Sequence, residues 1–351
     1  MIRRLGKWLL RIAISAAFLI AALLLPVAWV EFGCRGDTVE NSYTSLLPPE
    51  HHRAEARTLL TYPEWHIVHA YDDYARVIQT DDPHDFGYFR AVRTYWSSLC
   101  ALKKQAASHW GVDGETKQLV YVIGVSFTAE LALKAAYEET IGRVFTLLRG
   151  SVHAPLDDLS ASQAADYAAF LQQVPWYKWD FDGDRSALYL AATDALRDRE
   201  RRFALGAEYG AKAAYAGVIS AAVAATGADE LTLRMIVTGP DLRFLNGLEG
   251  IAVIGRTDKG TEIETIRYRA LTRLLAVMAG RGVDVVEMAG NDDIMLTVIS
   301  DQAIMNGAIF SFARQGYRDY RHLLLVKLPD LMDQLRAIAA GPAQLEYVHD
   351  Y

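Results

Sequence analysis

The hydrophobic pattern divides the chain into an apolar N-terminal stretch, a long helical region and a C-terminal region of mixed pattern. Residues 12–30 contain no charged side chain. A helix rises about 1.5 Å per residue and a bilayer core is about 30 Å thick, so this stretch is long enough to span a membrane. Trp8 and Trp29 flank it, and indole rings prefer the headgroup level. The pattern therefore predicts a transmembrane helix with an interfacial tryptophan near each end.

The charges on either side of this helix predict its orientation. Basic residues precede the apolar stretch and Glu31 follows it, so the positive-inside rule places the N-terminus in the cytoplasm. The bulk of the chain is then expected on the non-cytoplasmic side of an inner (cell) membrane. A cleaved signal peptide and a lipoprotein modified at Cys34 are alternatives. Residues 27–34 lack a pair of small residues at the spacing of a cleavage site, so an uncleaved, single-pass anchor is the preferred interpretation.

Two further segments follow the anchor, which with its basic tip occupies residues 1–36. Residues 37–56 contain Asn, Ser, Thr and Pro and are typical of a tether. Residues 57–228 are rich in alanine, and their apolar residues recur at intervals of three and four. This spacing predicts a helical domain.

In residues 229–351 segments with the hydrophobic period of a strand alternate with segments that have the period of a helix. Strands are predicted at residues 231–238, 250–256, 283–288, 294–300 and 323–328, and helices at residues 264–280, 302–316 and 329–340. Residues 289–292 resemble a hairpin turn. Read from Gly250, the order is βαββαβ, which is the ferredoxin-like motif. The predicted fold class is therefore α+β, with a transmembrane anchor, an Ala-rich helical domain and a ferredoxin-like module that ends in a C-terminal helix.

Composition excludes some functions and leaves others open. The net charge is −7 without a run of like charges, which argues against nucleic acid as a partner. Cys34 and Cys100 are the only cysteines, which indicates neither a disulfide scaffold nor a thiolate metal site. We find no Gly-rich phosphate loop, no Gly-x-Ser-x-Gly and no evident Ser-His-Asp set. No motif therefore assigns an activity or a cofactor.

One helical segment carries the best candidates for chemistry. At about 100° per residue, His66, His69 and Asp73 fall on one helix face, and Glu64 lies nearby in the sequence. Two imidazoles and a carboxylate could bind zinc or iron, or could transfer protons in catalysis. The alternative is that the histidines are buried and bond to Asp73 or to the backbone. We prefer that structural interpretation.

A near-repeat supplies a second group of polar residues. Glu130 precedes Lys134, and Glu208 precedes Lys212, at the favourable spacing of four residues. The surrounding helices are apolar on nearly all sides, so buried charges there must be paired. The functional hypothesis is a polar pocket in which these four residues face each other. Chance similarity between two Ala-rich core helices is the preferred alternative.

An aromatic cluster around Trp176 and Trp179 completes the candidates, because Trp beside Lys suits contact with lipid headgroups. The leading functional prediction is a non-enzymatic, membrane-anchored envelope protein. Its helical domain lies against lipid, and its α+β module assembles with itself or with an envelope protein. A metal- or acid/base-dependent enzyme acting on a lipid or envelope substrate at the histidine face is the first alternative. A carrier of lipid or another small apolar ligand is the second.

Overall fold

The structure is a computed structural model that describes residues 2–37, 43–53, 58–107, 114–226 and 231–350. It begins with helix α1 (Ile2–Ala28), which continues as a π-helical turn to Gly33. The apolar side chains of α1 are exposed from Leu10 to Leu25, except that of Leu23, which is half-buried. The predicted long, apolar N-terminal helix is therefore confirmed.

Seven further helices form the helical region. They are α2 (Thr58–Ile78), α3 (Tyr88–Ala107), α4 (Gly114–Tyr137), α5 (Arg143–Arg149), α6 (Pro155–Leu171), α7 (Phe181–Ala191) and α8 (Leu196–Thr226). A π-helical turn joins α4 to α5, so that the two run on as one long helix. Local sequence explains several starts: Pro155 occupies the first turn of α6, and Asp180 caps α7 by accepting a hydrogen bond from Gly183 N at 2.8 Å.

The C-terminal part contains one structural unit twice. The first unit consists of β1 (Thr232–Thr238), β2 (Ile251–Arg256), β3 (Thr261–Ile266), α9 (Arg269–Gly280) and β4 (Asp284–Met288). The second consists of β5 (Asp293–Ser300), β6 (Ala308–Ala313), β7 (Tyr320–Lys327), α10 (Leu328–Ala340) and β8 (Gln344–His349). Each unit forms a four-stranded antiparallel sheet, in the orders β2-β3-β1-β4 and β6-β7-β5-β8. Element order and strand order are the same in both units.

The two units share a core. Met235 of β1 and Leu296 of β5 occupy matching positions, and both belong to one buried cluster with Leu275 of α9 and Leu335 of α10. Helices α9 and α10 pack against each other and against strands of both sheets. The inner faces of the two sheets therefore meet the same pair of helices.

The opposite face of the second sheet packs on the helical region. Met295, Leu323 and Tyr347 belong to the same buried cluster as Tyr62 and Trp65 of α2. This explains why β5 is buried at nearly every position. Hydrophobic packing is thus continuous between the helical region and the α+β region.

The first sheet has diverged from the second on the equivalent face. Arg234 of β1 forms ion pairs there with Glu262 at 2.7 Å and with Glu264 at 2.8 Å. Charged residues replace the apolar residues that the second sheet presents to α2. The part of this face around Arg234 therefore suits solvent, whereas its counterpart in the second sheet suits a core.

The α+β class is confirmed, but the ferredoxin-like βαββαβ order is wrong. Residues 264–266 belong to β3, not to a helix, and the helix predicted at residues 302–316 is replaced by β6. Residues 289–290 form the predicted tight turn, which a Met288–Asn291 bridge closes, but the strands that it joins lie in different sheets, so there is no β-hairpin. Strand β8 follows α10, where the prediction ended with a helix. The physical reason is that a short amphipathic segment can match both the helical and the strand period of apolar residues. Packing of the sheets then decides that these segments form strands.

The C-terminal end of α1 is fixed to the body of the protein. A disulfide joins Cys34 to Cys100 of α3, a pairing that the sequence analysis did not predict. Lys103 Nζ donates to Val30 O at 3.0 Å and pairs with Glu31 Oε2 at 2.7 Å. Disulfides persist in oxidising compartments. Together with the exposed apolar helix, the disulfide indicates a secreted or membrane-anchored protein.

The described part of the predicted tether, residues 43–53, packs on β4. The carboxylate of Glu287 is fully buried and accepts hydrogen bonds from Tyr43 Oη, from Ser45 Oγ at 2.8 Å and from Leu47 N at 2.8 Å. Leu46 N donates to the same carboxylate at 2.5 Å. This segment is therefore held on the first sheet by the Glu287 carboxylate, together with hydrogen bonds from Arg53 to Thr232 O at 2.9 Å and to Ala289 O at 3.3 Å.

Candidate functional site

The predicted histidine face lies at the contact between α2 and the second sheet. His66, His69 and Asp73 are all buried, whereas Glu64 is exposed. The helical period explains this division, because the three buried residues share the face that packs on the sheet. Burial of polar groups costs free energy unless hydrogen bonds or opposite charges compensate it.

Both ring nitrogens of His66 are engaged. Nε2 lies 3.2 Å from Ala91 O, which can only accept, so Nε2 carries the proton. Tyr62 Oη lies 3.4 Å from Nδ1. Burial lowers the pKa of His66 to about 3, so the ring is neutral. With neither nitrogen available, His66 is poorly placed to bind a metal ion.

The sheet contributes a buried ion pair that the sequence analysis missed. Arg321 of β7 is fully buried and holds Glu346 of β8 through two bonds, Nε to Oε2 at 2.5 Å and Nη2 to Oε1 at 2.6 Å. Burial alone would raise the pKa of Glu346, but Arg321 and His69 hold it well below its usual range. This bidentate geometry is the strongest form of Arg–carboxylate contact.

Asp73 and His69 also belong to this cluster, but their hydrogen bonding is incomplete among the described residues. Gln315 N donates to Asp73 Oδ2 at 2.9 Å, and Arg321 Nη1 lies 4.0 Å from Asp73 Oδ1. His69 Nε2 lies 3.8 Å from Glu346 Oε2. Asp73 Oδ1, His69 Nε2 and Arg321 Nη1 have no hydrogen-bond partner among the described residues. Burial raises the pKa of Asp73 to about 7, although Arg321 opposes that shift.

A cavity of about 20 Å³ joins these unpartnered atoms. It is lined by His66, His69, Ala70, Asp73, Arg90, Ala91, Thr94, Phe312, Ala313, Gln315 and Arg321. Its size suits one water molecule, which could bridge the three groups. A carboxyl group with a pKa near neutrality beside such a water could exchange a proton with it. The Arg321 charge opposes a metal cation here.

A group of side chains of the types that bind metal ions lies elsewhere among the described residues, in the loop after α2. Ligand atoms of Asp82, His84 and Asp85 lie within 4.8 Å of one another. Asp82 is already paired with Arg149 at 2.9 Å. This loop is therefore part of an ion-pair network, and it does not include the residues chosen from the sequence.

The structure brings together the four charged residues of the near-repeat. Lys134 Nζ lies 2.9 Å from Glu208 Oε1, and Lys212 Nζ lies 3.1 Å from Glu130 Oε1 and 3.0 Å from Glu208 Oε1. Tyr71 Oη donates to Glu130. Burial would raise the pKa of Glu208, but the two lysines lower it to about 2. All four charges are paired. Lys134, Glu208 and Lys212 border a cavity of about 30 Å³ with several aromatic walls.

A second set of buried ion pairs lies beside the first, and the sequence analysis missed it. The two sets together form a ladder of ion pairs between α4 and α8. Arg201 Nη1 lies 2.8 Å from Glu138 Oε1, and its Nη2 lies 2.5 Å from Glu200 Oε1. Arg197 bonds to Glu200 at 2.9 Å and to Asp157 at 2.9 Å. The charged run at the start of α8 looks solvent-exposed in the sequence. Only the position of α8 against α4 shows that these charges are buried.

The four tryptophans that were predicted to lie at the membrane interface fall into two environments. Trp8 on α1 and Trp29 at the start of the π-helical turn are exposed. Trp176 and Trp179 are half-buried: Trp176 packs against Tyr215, and Trp179 Nε1 donates to Asp184 Oδ2 at 2.7 Å. Trp176 and Trp179 therefore lie at the edge of the packed core of the helical region.

The outer surface of the helical region is unusually apolar. Large hydrophobic side chains are exposed on α4, α5 and α8, including Leu119, Val122, Leu133, Val144, Leu147, Leu148, Phe203, Tyr215 and Val218. By length and composition, both Leu10–Gly33 and Thr116–Arg149 could cross a membrane, with mean hydropathies of 2.4 and 1.5. Comparison of the chain with protein-family models, curated protein sequences and solved structures gives no match.

Proposed function

We propose that the protein is a non-enzymatic, membrane-anchored envelope protein whose helical region lies on the outer surface of the bilayer. Helix α1 crosses the inner membrane with its N-terminus in the cytoplasm. The α+β region then faces away from the membrane and mediates assembly with a second copy or an envelope protein. The single observation that carries the proposal is the apolar surface of α4, α5 and α8, of which α4 packs against α1.

The distribution of charge supports contact with lipid. A helix in water normally turns its charges outward and its apolar side chains inward. Between α4 and α8 the charges face inward as a ladder of ion pairs, and leucine, valine and phenylalanine face outward. An exposed apolar surface of this extent marks an interaction site. Lipid is the partner that lies next to α1.

The depth of this contact is limited by the remaining charges. Glu139 and Arg143 are exposed and pair with each other at 2.6 Å, at the turn between α4 and α5. Ionised side chains are costly in the hydrocarbon core. An in-plane position at the headgroup boundary places the apolar side chains in lipid and leaves this pair near water. We therefore favour a surface-lying helix over a second spanning helix.

The chemical alternatives receive less support from the geometry. The cavity at His69 and Asp73 has room for one water, and the cavity at Lys212 is of similar size. Cavities that hold drug-sized ligands measure about 300–1,000 Å³. Neither cavity is large enough for a lipid substrate or an apolar cargo.

Spin labelling of the full chain in proteoliposomes tests the lipid contact. Leu147, 76% exposed on α5, is replaced by cysteine and labelled, while the two native cysteines remain in their disulfide. The label is expected to be more accessible to oxygen than to a water-soluble nickel chelate. Ile304, 85% exposed in the loop between β5 and β6, is the matched control and should show the opposite preference. Equal aqueous accessibility at both positions would refute the proposal.

A further inference from the structure

Three histidines lie in the contact between α2 and the second sheet. His66 and His69 belong to α2, His349 belongs to β8, and all three are buried. The ring centroids of His69 and His349 are 6.3 Å apart, and the His349 ring also packs edge-on against Trp65. This contact joins the helical region to the α+β region. Three imidazoles are therefore buried where the two regions meet.

The hydrogen bonds in the contact suit neutral rings. Tyr62 Oη lies 3.4 Å from His66 Nδ1 and donates to it, because His66 Nε2 already carries a proton. His349 Nε2 lies 3.2 Å from Thr297 Oγ1. His349 Nδ1 and His69 Nε2 have no hydrogen-bond partner among the described residues. An imidazolium ion donates from both ring nitrogens. A second proton on any of these rings would therefore lack an acceptor or displace the Tyr62 hydroxyl.

The charged groups around the rings do not compensate further positive charge. Glu346 Oε2 lies 3.8 Å from His69 Nε2, but the buried Arg321 guanidinium already holds both oxygens of that carboxylate. The other ionisable groups described in this contact are Tyr62, Asp72 and Asp73 of α2, Arg90 and Tyr95 of α3, Arg314 just after β6, and Tyr347 of β8. Asp72 is paired with Arg314. Asp73 is the remaining carboxylate in that set.

Asp73 can hold one proton while the contact is closed. Asp73 and His69 line the cavity of about 20 Å³, and so does the exposed Arg90, so water can exchange protons with the cavity from the surface. Burial raises the pKa of Asp73 to about 7, whereas burial lowers the pKa of His66 and His349 to about 3. In mild acid the closed contact therefore carries one added proton on Asp73 and keeps its rings neutral.

We propose that acid opens the contact between α2 and the second sheet, because its three imidazoles take up protons once the contact is open and hydrated. The α+β region keeps its own core when this happens, since both sheets pack with Leu275 of α9 and Leu335 of α10. Helix α2 keeps its packing against α4 and α6. The contact is thus a pH-sensitive interface between two regions that each stay folded.

The number of protons taken up sets the dependence on pH. Opening returns the three histidines to their ordinary pKa of 6.5 and Asp73 to its ordinary pKa of 3.8. Below pH 6.5, opening binds three protons at the histidines and releases one from Asp73, which leaves a net uptake of two. Each proton changes the equilibrium constant about tenfold per pH unit, so the opening constant should rise about hundredfold per pH unit down to about pH 4.

Thiol labelling at two adjacent positions of β5 tests this opening. Met295 belongs to the core that α2 shares, Leu296 belongs to the core of the α+β region, and both are fully buried. Each is replaced by cysteine in the full chain in detergent. The native cysteines remain in their disulfide. The rate of reaction with a pyridyl disulfide, which reacts in acid, is divided by the rate for an unfolded peptide at the same pH.

Met295→Cys should label about hundredfold faster per pH unit below about pH 6.5, whereas Leu296→Cys should stay protected. Equal increases at both positions would mean global unfolding and would overturn the inference. A labelling rate at Met295→Cys that does not depend on pH would overturn it as well. Leu323→Cys, fully buried in the same core as Met295, gives the same test if Met295→Cys does not fold.

The slope against pH separates proton uptake from a general loss of stability. Adding His349→Gln to Met295→Cys removes one titrating ring, so the increase should fall from about hundredfold to about tenfold per pH unit. His153→Gln is the control, because His153 is half-buried beside Asp158 outside the contact, and it should leave the slope unchanged.

An unchanged slope in the His349→Gln variant would contradict the inference, even if labelling became faster at every pH. His69→Gln gives the same test if His349→Gln does not fold. The measurements are made in detergent, so they are independent of the proposed contact with lipid.

Discussion

Replacement of Arg321 by methionine should strongly destabilise the protein. The guanidinium is fully buried and makes two short bonds to Glu346, and its third nitrogen lies 4.0 Å from Asp73. Methionine fills much of the volume but leaves the Glu346 carboxylate buried without its partner. Removing one member of a buried ion pair costs about 3–5 kcal/mol. We expect a loss of that size in the free energy of unfolding.

Urea unfolding of the full chain in detergent, followed by tryptophan fluorescence, measures this loss. Trp65 stacks on Tyr347 with ring centroids 3.7 Å apart, next to the substituted site, so it reports on the same contact. Arg336→Met is the control, because Arg336 forms solvent-screened surface ion pairs and its replacement should leave the free energy of unfolding nearly unchanged. Adding Glu346→Leu to Arg321→Met should recover much of the loss. A cost below about 1 kcal/mol for Arg321→Met would refute the assignment of this pair as a buried structural element.

Two further predictions concern acid and the tether. His66 and His349 have pKa values lowered to about 3, so each should cost about 1.4 kcal/mol of stability per pH unit as the pH falls below 6.5. The pKa of Asp73 is raised to about 7, so protonation of Asp73 favours the folded state and offsets the loss of stability from one of the two histidines between pH 6.5 and 4. Urea midpoints should therefore fall on acidification from pH 6.5, and a constant midpoint would contradict this. Glu287→Gln should cost about 1–3 kcal/mol and expose residues 43–53 to limited proteolysis. Unchanged proteolysis would contradict the role of the Glu287 carboxylate in holding this segment on the first sheet.

Elements with a strong periodic pattern of apolar residues were predictable from the sequence. Elements whose type is decided by packing against distant segments were not. The apolar helix α1 and the class of the C-terminal region follow from composition and period. Residues 302–316 were assigned to a helix because their apolar residues fit both periods, and pairing with β7 makes residues 308–313 the strand β6. The repeat could have been found from the matching spacing of Leu271 and Leu275 in α9 with Leu331 and Leu335 in α10.

The candidate site was predictable only from the helix side. The helical period placed His66, His69 and Asp73 on one face, and all three are buried there. Their partners Arg321 and Glu346 lie on two strands far along the chain, and β8 was not predicted. Sequence spacing cannot reveal contacts that arise when distant elements pack together. The same limit hid the ion pairs between α4 and α8.

Photocrosslinking with lipids tests the central claim most directly. The full chain is reconstituted in a bilayer whose acyl chains carry a photoreactive group, and the modified peptides are mapped by mass spectrometry. The proposal predicts modification of α1 and of exposed side chains on α4, α5 and α8, such as Leu133 and Leu147, with little on the two sheets. Modification confined to α1 would show that the helical region does not lie against the bilayer.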